Sequence, residues 1–254
     1  ERVSKMEPKK IDVHAPIGVF DSGVGGLTVA REIMRQIPNE KIIYFGDTAR
    51  VPYGSKSKDT VTRFSKQIVR FLRTHDVKTI VVACNTASAY ALEELEKEID
   101  IPVIGVIKPG AKVAVDATKN GKIGVIATEA TIASGMYNQY IQELTENATV
   151  YGKACPLFVP LVEEGLLVDP VTDEIARRYL AELIDLDIDT LILGCTHYPL
   201  IRATLGKIMG EAVTLVNPAY ETARELKEML AEKGLLNDTP PVLGENQYQF
   251  YVSD

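Results

Sequence analysis

Short apolar runs alternate with longer amphipathic stretches along almost the whole chain. Ile17–Phe20, Lys41–Phe45, Thr79–Ala83 and Pro102–Val106 are nearly continuous in apolar and small residues, the pattern of strands buried on both faces. Between them, Leu27–Gln36, Asp59–His75 and Ala87–Ile99 carry helical spacing. The second half repeats the style, with strands predicted at Lys122–Ala127, Thr149–Tyr151, Thr190–Leu193 and Val213–Val216. Helices are predicted there at Thr131–Glu146, Pro170–Ile184, Leu200–Met209 and Tyr220–Lys233. Regular alternation of strand and helix predicts parallel sheets covered by helices on both faces. The tail, Gln247–Asp254, alternates like a short edge strand.

The pattern is also internally repeated. Asp76-Val-Lys-Thr-Ile-Val-Val-Ala-Cys84-Asn-Thr86 aligns with Asp187-Ile-Asp-Thr-Leu-Ile-Leu-Gly-Cys195-Thr-His197. Ile17-Gly-Val-Phe-Asp21-Ser22 aligns in the same way with Ile123-Gly-Val-Ile-Ala127-Thr128. Apolar matches of this length are common in α/β chains. Two of them in consistent order, at offsets of 111 residues from Cys84 to Cys195 and 106 from Ile17 to Ile123, favour duplication. The predicted architecture is therefore α/β: two similar three-layer α/β domains with parallel sheets and an active site in the cleft between them. The boundary is expected near Ile107–Pro109, after a fourth strand, and the helix after Asn217-Pro218 is expected to cross back onto the first half. That assigns 12–107 plus 217–254 to the first domain and 108–216 to the second.

Composition narrows the class. The 254 residues are 46% hydrophobic and 25% charged, enough apolar material for a buried core and too much for a disordered chain. No apolar run approaches the roughly 18 residues of a membrane helix. A net charge of −7 argues against general nucleic-acid binding, though a locally positive site for a small anion remains compatible with it. Three cysteines cannot build a disulfide framework, and the polar start Glu1–Lys10 lacks a signal-peptide core, so a cytoplasmic location is expected.

In open parallel sheets, ligands bind at the carboxyl ends of strands. Three polar clusters fall there, Asp21-Ser22-Gly23, Cys84-Asn85-Thr86 and Cys195-Thr196-His197, each leading toward a helix whose free N–H groups suit a carboxylate or phosphate. The glycines at 23, 25 and 26 invite a dinucleotide reading. The sixth position is Thr28, however, and Asp21 would put negative charge where pyrophosphate lies, so a turn allowing close approach is the better reading. Cys155 reads as a small core residue. Cys84 and Cys195 occupy equivalent places in the repeat, and a helix N-terminus is expected to lower each thiol from about 8.5 toward neutrality.

Four chemistries could use such a pair. A redox disulfide lacks the Cys-x-x-Cys spacing, and a metal site lacks further ligands. A Cys nucleophile with His197 as base leaves one cysteine idle. Two-base proton transfer at a carbon uses both. Asp21 and His197 are suited to assist the two thiols, although a His before Tyr198-Pro199 is as readily a capping residue. Glu163 and Glu164 read as a solvated helix start, and Arg50–Ser57, with Tyr53 and Gly54, reads as a loop over the cleft.

The blocks Val19–Gly26, Ala83-Cys-Asn-Thr-Ala87 and Gly194-Cys-Thr-His-Tyr-Pro199 resemble the signatures of the glutamate racemases in the cofactor-independent aspartate/glutamate racemase family. Phe45–Gly54 and Ala154–Glu164 are similar to two further blocks of that family. The resemblance implies interconversion of L- and D-glutamate without cofactor or metal, for peptidoglycan synthesis, by a homodimer. It implies catalytic roles for Cys84, Cys195, Asp21, His197 and Glu163. Substrate contacts are implied for Asp21, Ser22, Tyr53, Gly54, Asn85, Thr86, Thr196 and His197. An aspartate or other amino-acid racemase, or a two-lobed carboxylate-binding protein, stands as the alternative.

Overall fold

The computed structural model describes residues 10–242 and 244–254; the polar start, apart from Lys10, lies outside them. The chain builds two wholly parallel sheets. The first contains β1 (Ile17–Asp21), β2 (Ile42–Gly46), β3 (Thr79–Val82), β4 (Val103–Gly105) and the late strand β9 (Tyr248–Val252), in the order β4-β3-β1-β2-β9. The second contains β5 (Lys122–Ala127), β6 (Thr149–Ala154), β7 (Thr190–Gly194) and β8 (Thr214–Val216), in the order β6-β5-β7-β8. Read from the other edge, the second sheet runs β8-β7-β5-β6, which is the order β4-β3-β1-β2 with each strand replaced by its repeat equivalent. Register agrees too: Ile17 pairs with Thr79, and their equivalents Ile123 and Thr190 pair with each other.

Strand alternation divides each sheet between two cores. Ile17 and Val19 of β1, Val81 of β3 and Ala83 just after it meet α1 (Leu27–Gln36) and α10 (Pro218–Glu232). On the other face Phe20, Ile80 and Val82 meet α2 (Lys58–Arg73) and α3 (Asn85–Glu98). The second sheet packs Leu191 and Leu193 on α7 (Phe158–Glu163), α8 (Pro170–Asp185) and α9 (Arg202–Met209). Its Ile123, Val125 and Ile192 meet α4 (Ile107–Ala117) and α6 (Met136–Leu144). The helix after Asn217-Pro218 does return to the first sheet, burying Ala219, Ala223, Leu226 and Leu230 beside α1. The tail pairs as an edge strand with β2. Among the described residues no helix is long and apolar enough to cross a membrane.

Helix α4 begins at the expected boundary, and Pro109 falls in its first turn, where the missing N–H costs no helical bond. Two local expectations need correction. The stretch read as one helix from Thr131 is two, α5 (Glu129–Ser134) and α6, broken at Gly135 with φ +66. Glu163 ends α7 and does not start a helix, because Phe158, Val159 and Val162 bury one face of that short turn.

Far from the strands' carboxyl ends, Asp189 ties the α4–β5 connection to β7. Its carboxylate accepts from Thr118 Oγ1 and Lys119 N, both at 2.6 Å, and from Asn120 N at 2.8 Å. Partial burial pushes its pKa up, but these donors outweigh it and hold the group at about 2. A carboxyl held below its unfolded value of about 3.9 adds stability above that pH and loses it as pH falls toward 2. Asp189→Asn is therefore expected to flatten the acid limb of urea-unfolding stability between about pH 4 and 2. An unchanged limb would contradict this.

Candidate active site

Four strand ends from the two sheets converge. Asp21 ends β1 and Ser22 follows it, Cys84 lies just beyond β3, Thr128 follows β5, and Cys195 follows β7. They converge at a narrow cavity of about 20 Å³ that is lined by both cysteines together with Ser22, Tyr53, Gly54, Asn85, Thr86, Thr196 and His197, with Asp21 just behind it. That space holds roughly one water molecule and no amino acid, so a substrate enters only if the sheets part or the Arg50–Ser57 loop lifts. Two hollows of about 670 Å³ lie elsewhere, near Lys10 and Asp100. Convergence of polar groups, not volume, singles out the small cavity.

Cys84 is the N-cap of α3, and the Ala87 N–H donates to its Sγ at 3.4 Å. Burial nevertheless pushes the thiol up to about 12, aided by the charge of Asp21 and opposed by Ala87 and Ser22. Cys195 is raised as well, by burial first and then by Cys84 and Asp21, against the amide of His197 and the hydroxyl of Thr196. The expected lowering toward neutrality is thus corrected: for thiols this deeply buried, desolvation exceeds what a helix terminus returns. Cys195 also leads into a single 3-10 turn, Tyr198–Ile201, before α9 begins.

What Cys195 has instead is an imidazole. Its Sγ lies 3.8 Å from His197 Nδ1, while His197 Nε2 lies 2.5 Å from Glu163 Oε1. A carboxylate at Nε2 places the ring proton there, leaving the Nδ1 lone pair facing the thiol. Asp21 is fully buried and accepts from Gly23 N at 3.2 Å, Gly26 N at 2.9 Å and Thr196 Oγ1 at 3.4 Å. Burial raises its pKa, against the opposing pull of His197 and these amides.

Glycines let the halves touch. A Cβ on Gly25 would fall 2.6 Å from Thr196 Oγ1 and 2.9 Å from His197 Nδ1; one on Gly54 would fall 2.5 Å from Thr128 Cβ. The Gly54 loop is clamped by the Ala130 N–H on its carbonyl, 3.1 Å away, and by Tyr53. The Tyr53 hydroxyl donates to buried Asp47, which also accepts from Arg50 Nε at 2.8 Å. The residues to which the resemblance assigns catalytic or substrate roles thus border or directly support one site. Glu163 does so from the rim, with its side chain 38% exposed.

Three further residues were not anticipated. Thr128 and Thr131 form a hydroxyl triangle with Thr86 at 3.0–3.3 Å. The repeat held a signal for Thr128, which aligns with Ser22. Tyr137, whose hydroxyl donates to Asn85 Oδ1 at 2.6 Å, had none, because an aromatic on an amphipathic helix reads as core.

A family model for Asp/Glu/hydantoin racemases matches residues 17–226. The chain belongs to that racemase family. Among the relatives of this racemase-family chain, the glutamate racemase of Geobacter metallireducens is 52% identical over 238 residues, 94% of this chain and 87% of that one. The crystal structure of a Bacillus anthracis glutamate racemase superposes with TM-score 0.90 at 47% identity, covering 95% of this chain and 89% of that one. The Francisella tularensis glutamate racemase, solved with D-glutamate, gives TM-score 0.87 at 43% identity with the same coverage.

Burial of both site thiols has a direct consequence in solution. Thiol-reactive disulfide reagent at about pH 8 is expected to label the folded chain slowly and all three cysteines after unfolding. A rapid burst of one thiol per folded chain would contradict the closed, protonated state.

Proposed function

We propose that this chain is a glutamate racemase that inverts the α-carbon by two-base proton transfer between Cys84 and Cys195. One observation carries the reading: cysteines at equivalent ends of duplicated strands line a single cavity between the sheets. A binding protein has no use for that pair, whereas inversion needs one base on each face of the carbon. The proposed units are 12–107 plus 217–254 and 108–216, with the substrate between them. The relatives' activity as glutamate racemases and the D-glutamate bound in one of them support glutamate as substrate. The reading takes no cofactor, and it extends to a cytoplasmic homodimer supplying D-glutamate for peptidoglycan.

From L-glutamate, Cys195 passes its proton to His197 Nδ1, and Glu163 offsets the resulting imidazolium charge. The thiolate takes the α-proton, and the C–H electron pair is held as an enediolate by surrounding donors. Cys84 delivers its own proton to the opposite face and is left as thiolate. From D-glutamate the roles exchange: Asp21 takes the Cys84 proton, that thiolate takes the α-proton, and Cys195 delivers its own to the opposite face. In either direction, transfer of the proton left on His197 or Asp21 back to the remaining thiolate, through solvent after product release, restores both thiols. Ser22, Tyr53, Gly54, Asn85, Thr86, Thr196 and His197 are proposed to hold the substrate's charged groups. An α-proton is weakly acidic, so preorganised donors in a water-excluded cavity must carry most of the stabilisation. Closure raises the resting thiols, and the same dryness strengthens every donor once the substrate's ammonium group is inside.

Incubation with L-glutamate in D₂O, with no cofactor added, is expected to bring optical rotation to zero as deuterium enters the α-position. L-aspartate should remain unchanged; the reverse preference would make the chain an aspartate racemase. Cys84→Ala and Cys195→Ala are each expected to lower turnover by at least about 100-fold while glutamate still binds by calorimetry. Retained racemisation in both would sink the two-base reading. Glu163→Gln is expected to cost less than either. Because the enantiomers have equal free energy in water, kcat/KM must match in both directions in every variant.

A further inference from the structure

Asn85 is the first residue of α3, directly after Cys84, and is 5% exposed. Its Oδ1 accepts the Tyr137 hydroxyl at 2.6 Å, across the divide between the two sheets. Among the described residues the Asn85 amide nitrogen has no protein acceptor, and Asn85 lines the small cavity. Orientation of the amide therefore depends on the phenol. Rotated by half a turn, the amide would donate to the phenol oxygen instead, exchange the short O–H to carbonyl bond for a weaker N–H to phenol one, strand the phenol proton, and turn a carbonyl oxygen toward an incoming carboxylate. Burial, and then Cys195, raise the pKa of the phenol, so it stays a donor across the working range.

The phenol is itself held. Tyr137 is 3% exposed in the core cluster of α4 and α6, and a Cβ on Gly194 would lie 3.2 Å from its ring. Gly194 is the residue before Cys195. One ring thus packs against the strand end that presents the second cysteine while its hydroxyl governs the residue beside the first.

We propose that Tyr137 is a positioning residue whose hydroxyl locks the Asn85 amide with both N–H donors facing the cavity, ready for a substrate carboxylate. The inference rests on the racemase reading for its substrate, but not for its geometry. Glu163, His197 and the thiols act on protons; Tyr137 acts on binding, through Asn85.

Tyr137→Phe keeps the ring and removes only the hydroxyl. It is expected to raise KM for glutamate about tenfold with a smaller change in kcat. A merely structural role would lower Tm and the active fraction but leave KM unchanged, and that result overturns the proposal. In an Asn85→Ala background the same substitution should raise KM no further; an undiminished effect there also overturns it. Asn85→Asp preserves the acceptor for Tyr137 but replaces the donors with negative charge, and glutamate binding by calorimetry should fall at least about 100-fold. Retained binding means the carbonyl, not the amide, faces the cavity. Activity-independent proof comes from NMR of uniformly ¹⁵N-labelled protein. The Asn85 side-chain pair, assigned by its loss in Asn85→Ala, should be resolved in the native chain and broadened in Tyr137→Phe. An unchanged pair overturns the proposal, even if wild type proves inactive on glutamate and the racemase reading falls.

Discussion

Burial of polar groups where the two sheets meet is the constraint on which the rest depends. A cavity of about 20 Å³ contains or borders two thiols, a carboxylate and an imidazole. The carboxylate and the imidazole cannot be buried cheaply without a partner. Each polar contact at the centre can be read as the answer to that cost. Asp21 takes two backbone amides and Thr196, His197 takes Glu163, Asn85 takes Tyr137, and Thr86 takes Thr128 and Thr131. Most of these bonds cross from one half to the other. The groups that line the site are thus also the groups that hold the halves together, and opening the cavity means exchanging those bonds for water or substrate.

Duplication supplies the frame, and divergence supplies the asymmetry. Strand order and register agree between the halves, and even the turn before each cysteine strand matches. Asp76 and Asp187, equivalent in the repeat, both adopt positive φ, at 52° and 56°. Asp tolerates that conformation better than most side chains. The chemistry around the two sulfurs has nevertheless separated. Cys84 caps a 14-residue helix and accepts its first-turn amide. Cys195 stands before a 3-10 turn and looks to an imidazole backed by a carboxylate. Equivalent positions on a repeated backbone therefore offer two different ways to stabilise a thiolate: backbone dipoles for one, a proton acceptor for the other.

The apolar pattern alone determined the α/β class, the parallel sheets and the repeat, since strands buried on both faces leave a continuous apolar run. It also placed Asp21, Cys84, Cys195 and His197 at strand ends, where such sheets bind ligands. Local pattern misled at Gly135, where a stretch that reads as one helix from Thr131 is broken into α5 and α6. The sequence could not determine the protonation of the thiols, because the helix terminus is a local feature and desolvation is not. Nor could it reveal Tyr137, Thr131 or Asp47, each of which acts on a residue far along the chain or buried beneath a loop. Spacing records what lies within one element. Only tertiary structure decides which groups share a dry cavity, because burial and cross-sheet hydrogen bonds are set by elements distant in sequence.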